Sequence, residues 1–121
     1  MITEKSLLPP CPGTPNCVSS QSTDVAKRVD PLPVVDGPAM SMERLTRVVS
    51  SIPRTTIVSD SGTMLQVEFR SFLGFVDDVL FVLSDNEGVI HVRSASRTGK
   101  WDLGVNRRRV NRIRKLYLVA E

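Results

Sequence analysis

A short stretch of the chain collects the residue types that bind anions. Residues 93–109 read Arg-Ser-Ala-Ser-Arg-Thr-Gly-Lys-Trp-Asp-Leu-Gly-Val-Asn-Arg-Arg-Arg, so hydroxyl and guanidinium groups stand beside the start of a predicted helix. Guanidinium groups and the free N–H groups of a helix N-terminus both attract phosphates and carboxylates. The stretch therefore predicts an anion site, although it lacks the pattern of a nucleotide-binding P-loop. In the alternative interpretation, Asp102 and the arginines form a structural cap on the helix.

Charged residues also interrupt the predicted strands. Asp77 and Asp78 stand in one apolar run and Arg93 stands in the next. If Leu83 pairs with Val89 across the intervening turn, Asp77 and Arg93 become diagonal neighbours on one face of the sheet. The pattern then predicts a network of charges on the surface of that sheet.

Arg70 ends the preceding strand and is expected to approach the same network. The network has two interpretations: an ion-pair lattice that fixes strand register, or a site that orients a ligand. Because Asp77 and Asp78 are adjacent, they point to opposite faces of a strand and are poor candidates for a cooperating acid/base pair.

The two features together give a predicted set of ligand-binding residues. The set is Arg70, Asp77, Asp78, Arg93, Ser94, Ser96, Arg97, Asp102, Asn106, Arg107 and Arg109. The remaining basic residues of the last helix, Arg108, Arg112, Arg114 and Lys115, are expected to line a solvated face. The sequence assigns no residue to catalysis, metal binding or a cofactor.

The two cysteines, Cys11 and Cys17, lie in a stretch rich in proline. Their spacing suits a small closed loop, so a disulfide is sterically feasible in an oxidising compartment, whereas both are free thiols in a reducing one. The spacing disfavours zinc, and the single histidine, His91, is distant in sequence.

The elements that position these residues follow an N-terminal arm. Residues 1–38 hold seven of the eight prolines and show no regular period, which predicts an extended arm. Its apolar residues favour an arm that packs against the domain: Val18, Val25, Val29, Leu32, Val34 and Val35.

Residues 39–121 are predicted to form the rest of one globular unit. Helical periodicity begins near Ser41, either capped by that serine or started from Asp36 with Pro38 in the first turn, and ends before Pro53. Four runs that suit strands follow, at 54–59, 63–70, 75–83 and 89–96.

The turns between these runs are short, which predicts antiparallel pairing. A second helix follows, with Asn106 as its expected cap and Val110, Ile113 and Tyr117 on its apolar stripe. The predicted fold is α+β: a four-stranded antiparallel meander with the two helices packed on one face.

Charge is distributed unevenly along the chain. Residues 93–117 hold nine Lys or Arg residues and one acid, whereas the remainder holds seven bases and twelve acids, for a net charge of +3 over 121 residues. A local basic field indicates an anionic neighbour, and much of the acidic remainder is expected to pair with it. At 40% hydrophobic residues, the composition excludes wholesale disorder.

The sequence predicts neither a membrane-spanning segment nor an export signal. Localisation therefore stays open: a soluble, cytoplasmic protein by default, or an extracytoplasmic one if a leader has been removed.

The sequence resembles the domain of unknown function 1499 family. Three blocks carry the resemblance: Cys-Pro-Gly-Thr-Pro-Asn-Cys-Val-Ser-Ser at 11–20, Glu-Phe-Arg-Ser at 68–71 with Gly-Phe-Val-Asp-Asp-Val at 74–79, and Gly-Val-Ile-His-Val-Arg-Ser-Ala-Ser-Arg at 88–97 followed by Asp-Leu-Gly-Val-Asn-Arg-Arg-Arg at 102–109. The resemblance implies a single domain, bacterial or from plants and algae, and brings no established activity. Trp101, where the family often has an aromatic, is interpreted as a packing anchor.

Three functions follow from these residues. The first is a non-enzymatic module that binds an anionic small molecule or an acidic protein partner through the Arg/Asp/Ser cluster. The second is a small hydrolase or lyase with Asp77 or Asp78 as general base, and the third is nucleic-acid binding through the arginine-rich last helix. The acidic remainder of the chain and the scarcity of aromatic residues disfavour nucleic acid.

Overall fold

The computed structural model describes residues 7–71, 73–99 and 102–120. Trp101 and its predicted packing role lie outside these residues. The two helices are α1 (Pro38–Ser50) and α2 (Val105–Val119). The strands are β1 (Cys17–Ser19), β2 (Leu32–Pro33), β3 (Thr55–Asp60), β4 (Met64–Arg70), β5 (Val76–Ser84) and β6 (Val89–Ser96), and a short 3-10 helix spans Val25–Lys27.

The fold is α+β with an antiparallel sheet, and the predicted meander is present as β3 to β6. The sheet has six strands where four were predicted, because the arm adds β1 and β2, which both pair with β6. These two strands are three and two residues long, too short to show the alternation from which a strand is predicted. The arm thus closes the β6 edge of the sheet.

Both helices contribute to one core on one face of the sheet. Leu45 and Val49 of α1 and Ile113 of α2 are buried with the inward residues of the central strands. Helix α1 takes the earlier of its two predicted starts, with Pro38 in the first turn and Gly37 before it at a φ of 88°. A positive φ is costly for residues with a Cβ, so glycine suits this position.

The register of the β5–β6 hairpin differs by one residue from the predicted one. Leu83 pairs with Ile90 instead of Val89, and a shift of one residue turns every side chain to the other face. The prediction that Asp77 and Arg93 share a face was therefore wrong. Asp77 faces the helices beside Ser96, its partner in β6, whereas Arg93 lies on the opposite face of the sheet.

The arm packs against the domain along much of its length. Val18, Val29 and Leu32 are buried in the common core, although Val25 is 71% exposed. Cys11 and Cys17 form a disulfide with their Cα atoms 5.7 Å apart.

Candidate functional site

Asn106 is the centre of a buried polar cluster at the end of the sheet. It was expected to cap α2, but Gly104 stands at the cap position and the Asn106 side chain turns into the protein, where it is fully buried. Its Oδ1 accepts hydrogen bonds from Ser94 Oγ at 2.7 Å and from Arg109 at 3.0 Å. Because Asn106 reaches both β6 and its own helix, it fixes the start of α2 against the sheet.

The amide nitrogen of Asn106 links the cluster to two more segments. It lies 2.9 Å from Ser96 Oγ, 2.9 Å from the Asp102 carboxylate and 3.2 Å from the carbonyl oxygen of Asn16. Asn16 belongs to the arm and Asp102 to the loop before α2. One side chain thus joins strand, helix, loop and arm.

Asp77 and Arg109 form an ion pair beside this cluster. Their side chains are 12% and 16% exposed, and an Nη of Arg109 lies 2.7 Å from the Asp77 carboxylate. The guanidinium also lies 4.9 Å from the centre of the Phe69 ring, a cation–π geometry. The negative charge of Asp77 is therefore balanced by the positive charge of Arg109.

Asp102 stabilises the loop before α2 through its carboxylate. Burial acts to raise the pKa of Asp102, but hydrogen bonds from the Asn106 side chain and from the N–H groups of Gly104 and Asn106 outweigh it and hold the pKa below its usual value. The ionised carboxylate is consequently part of the native structure. This is the structural role that the alternative interpretation gave Asp102.

A depressed carboxyl pKa makes stability depend on pH. The contribution of Asp102 is present above the ordinary carboxyl pKa of about 4 and is lost as pH falls through the lower pKa of the folded protein. We expect Asp102→Asn to cost about 1–2 kcal/mol at pH 7 and progressively less below pH about 4, measured by urea unfolding at a series of pH values. Asp30→Asn, at an exposed position, is the control, and a cost for Asp102→Asn that stays constant down to pH about 3 would contradict the assignment.

Asp78 lies on the opposite face of the sheet and holds Arg97. Arg97 donates to both oxygens of Asp78 at 2.9 Å and to Glu68 at 2.8 Å. These carboxylates raise the pKa of Arg97 above its usual value. The opposite orientations predicted for the two aspartates are confirmed, and each has an arginine partner.

Arg93 shares that outer face but contacts neither aspartate directly. It donates to the carbonyl oxygen of Pro10 at 3.3 Å, and its Nε is buried with no hydrogen-bond partner among the described residues. Burial lowers the pKa of Arg93, against the raising effect of the Asp78 charge. The predicted surface network is therefore divided between two faces of the sheet.

The remaining two members of the predicted set lie apart from these groups. Arg107 donates to the carbonyl oxygens of Ala26 and Arg28 and thereby holds the arm against α2. Arg70 is exposed at the end of β4, and within the described residues its guanidinium makes no hydrogen bond or ion pair.

Arg70 contributes instead to a basic pocket that sequence reasoning missed. This pocket of about 310 Å³ lies between the first turns of α2 and the adjoining ends of β3 and β4. Among the described residues, its charged lining consists of five arginines and no carboxylate: Arg54, Arg70, Arg108, Arg109 and Arg112. The spacing of Arg108 and Arg112 could have indicated part of this pocket, because residues four apart lie on the same face of a helix.

A second cavity adjoins the basic pocket. This cavity, of about 630 Å³, is named the apolar cleft after its exposed lining residues Leu73, Phe75, Leu103 and Val105. Its lining also includes polar residues, among them Asp77. Ser71, Val105 and Arg109 line both cavities.

A hydroxyl–imidazole–carboxylate chain is formed by three residues that line neither cavity. Ser20 Oγ is 2.9 Å from His91 Nδ1, and His91 Nε2 is 2.9 Å from Glu87, which also accepts from Ser84. His91 is only 4% exposed, and a catalytic imidazole needs access to substrate. Its burial therefore suits a structural link between the arm and the β5–β6 turn.

The described part of the chain contains neither a metal-binding cluster nor a membrane-spanning helix. In residues 7–71, 73–99 and 102–120, no three or more His, Cys, Asp or Glu side chains are placed to hold a metal ion. Neither described helix has the length and apolar character needed to span a bilayer.

Comparison with known proteins identifies a family for this chain. Neither the curated proteins nor the solved structures contain a match to this chain. The family model described as "Protein of unknown function (DUF1499)" matches residues 7–116, most of the chain. The resemblance carried by the three sequence blocks is thus confirmed, and the chain belongs to the DUF1499 family of proteins of unknown function.

Proposed function

We propose that this protein is a non-enzymatic binding module for an anionic ligand, which it holds in the basic pocket. The observation that carries the proposal is the lining of that pocket, where the described residues include five arginines and no carboxylate. Of the residues predicted from sequence, Arg70 and Arg109 belong to this ligand site. The other three arginines join them from the α1–β3 corner and from α2.

The availability of the guanidinium groups supports this choice. Arg109 is paired with Asp77, and Arg54 and Arg108 each donate to a backbone carbonyl, of Arg70 and Leu103 respectively. Within the described residues, the guanidinium groups of Arg70 and Arg112 make no hydrogen bond or ion pair.

Anion binding would relieve the repulsion among these arginines. Like charges held close together destabilise the folded protein, and a bound anion stabilises it by mass action. Phosphate groups are well suited, because a guanidinium donates two parallel hydrogen bonds to a phosphate or carboxylate.

The other two functions receive less support. Asp77 and Asp78 are each bound by an arginine, so neither is free to act as a general base. Arg107 and Arg109 of α2 are directed to the arm and to Asp77, which leaves fewer charges of that helix for a nucleic-acid backbone.

The test is binding of inorganic pyrophosphate at constant ionic strength, measured by calorimetry and by the shift in melting temperature. Arg112→Ala is expected to weaken binding about tenfold or more, since a hydrogen bond to a charged group contributes about 1.5–3 kcal/mol. Lys115→Ala is the matched control, because it removes one exposed charge from the same helix outside the pocket.

Equal losses from the two variants would show nonspecific attraction and would overturn the proposal. So would a melting temperature that responds to pyrophosphate no more than to chloride of the same ionic strength. Arg70→Ala approaches the pocket from the sheet and gives an independent second variant.

A further inference from the structure

We infer that the ligand is an amphiphile with a single apolar chain, whose anionic head lies in the basic pocket and whose chain lies in the apolar cleft. This inference rests on the proposed function and specifies the class of ligand. The two cavities share a wall, which Ser71, Val105 and Arg109 form. A ligand held at that wall reaches both cavities.

The apolar cleft exposes large side chains that nothing in the described structure covers. Leu73 is 70% exposed, Phe75 60% and Leu103 87%. Contiguous exposed apolar residues indicate a binding surface more often than single ones do. The cleft volume of about 630 Å³ lies within the range of about 300–1,000 Å³ usual for small-molecule sites.

Charge determines which end of the ligand enters which cavity. Asp77 and Asp102 line the apolar cleft, whereas no carboxylate of the described part of the chain lines the basic pocket. The charge of Asp77 is balanced by its ion pair with Arg109. The carboxylate of Asp102 is ionised, and its negative charge repels an anionic head. The head is therefore directed to the arginines and the chain to the cleft.

The same charges disfavour a second copy of this chain as the occupant. An association of two identical faces by twofold symmetry would bring two sets of arginines together, and like charges across an interface oppose binding. A small anionic amphiphile complements both the arginines and the apolar walls.

The experiment compares methyl phosphate with decyl phosphate, the latter kept below its micelle concentration, by calorimetry on the full chain. Each methylene that the cleft buries is expected to tighten binding roughly fourfold, so decyl phosphate should bind at least about tenfold more tightly. Leu73→Ser/Phe75→Ser should remove that gain and leave pyrophosphate affinity unchanged. Val25→Ser/Leu118→Ser, which changes two exposed apolar residues outside both cavities, should keep it.

Equal affinity for methyl and decyl phosphate, with pyrophosphate still bound, would overturn this inference and leave the proposed function standing. Absence of binding by all three probes would overturn both. Binding to vesicles of phosphatidylcholine and phosphatidylglycerol without a preference for monomeric decyl phosphate would identify a membrane-docking surface and also overturn it. Leu103→Ser, which changes a cleft residue from the loop before α2, repeats the test should the double variant lose its pyrophosphate affinity.

Discussion

Replacing Asn106 with alanine is expected to destabilise the protein by about 3–4 kcal/mol. The change removes the oxygen that accepts from the buried Ser94 hydroxyl. It also removes the amide that donates to Ser96 Oγ and to the Asp102 carboxylate. Each buried polar group left unsatisfied costs about 1–3 kcal/mol. Urea unfolding of the variant and the parent protein at pH 7 measures the difference.

Asn111→Ala is the matched control for this prediction. Asn111 lies on the same helix, is exposed, and accepts one hydrogen bond from Arg114. Its replacement is expected to change stability by no more than about 0.5 kcal/mol. If both variants unfold at the same urea concentration, the buried cluster does not hold α2 against the sheet as described.

The elements of the fold were largely predictable because their periodicity is strong. Helix α2 has Val110, Ile113 and Tyr117 on one side, and all three are buried. The strands contributed by the arm were not predictable, since β2 is two residues long and its pairing with β6 is a tertiary contact. Helix existence is encoded locally, whereas membership of a sheet depends on distant residues.

In the candidate site, too, the features that depend on local sequence were predictable, and those that depend on strand pairing were not. The opposite orientations of Asp77 and Asp78 follow from the pleat alone and were predicted. Their neighbours depend on register, and an error of one residue at the β5–β6 turn placed Arg93 on the face of Asp77 instead of the face of Asp78. A sequence pattern specifies the face of a residue only after the register is fixed.

The basic pocket depends most heavily on tertiary structure. Arg54 and Arg70 come together because the backbone N–H of Arg70 donates to the carbonyl oxygen of Arg54, a pairing set by the β3–β4 register. Arg108 and Arg112 then approach from α2. Their local sequence favoured a solvated helix face, and only the packing of α2 beside the strand ends makes that face one wall of a pocket.

The second large effect is expected from separating Asp77 and Arg109. Arg109→Met keeps an unbranched, polarisable side chain over the Phe69 ring but leaves the Asp77 carboxylate, which is 12% exposed, without its counterion. Removing one partner of a buried ion pair costs about 3–5 kcal/mol, much of it from the remaining unpaired charge. Urea unfolding at pH 7 measures this loss.

A double-mutant cycle distinguishes the unpaired charge from lost packing. If the charge dominates, Asp77→Asn/Arg109→Met should be more stable than Arg109→Met alone by about 1–3 kcal/mol, because the second change removes the unpaired carboxylate. If lost packing dominates, the two single effects should add.

Arg97→Met provides the comparison on the outer face of the sheet. The partners of Arg97 are Asp78 and Glu68, and its side chain is 48% exposed. Because solvent screens the ion pairs of Arg97, we expect Arg97→Met to lower the free energy of unfolding by less than Arg109→Met does. An equal loss of stability from the two variants would show that burial does not determine the strength of the Asp77–Arg109 interaction.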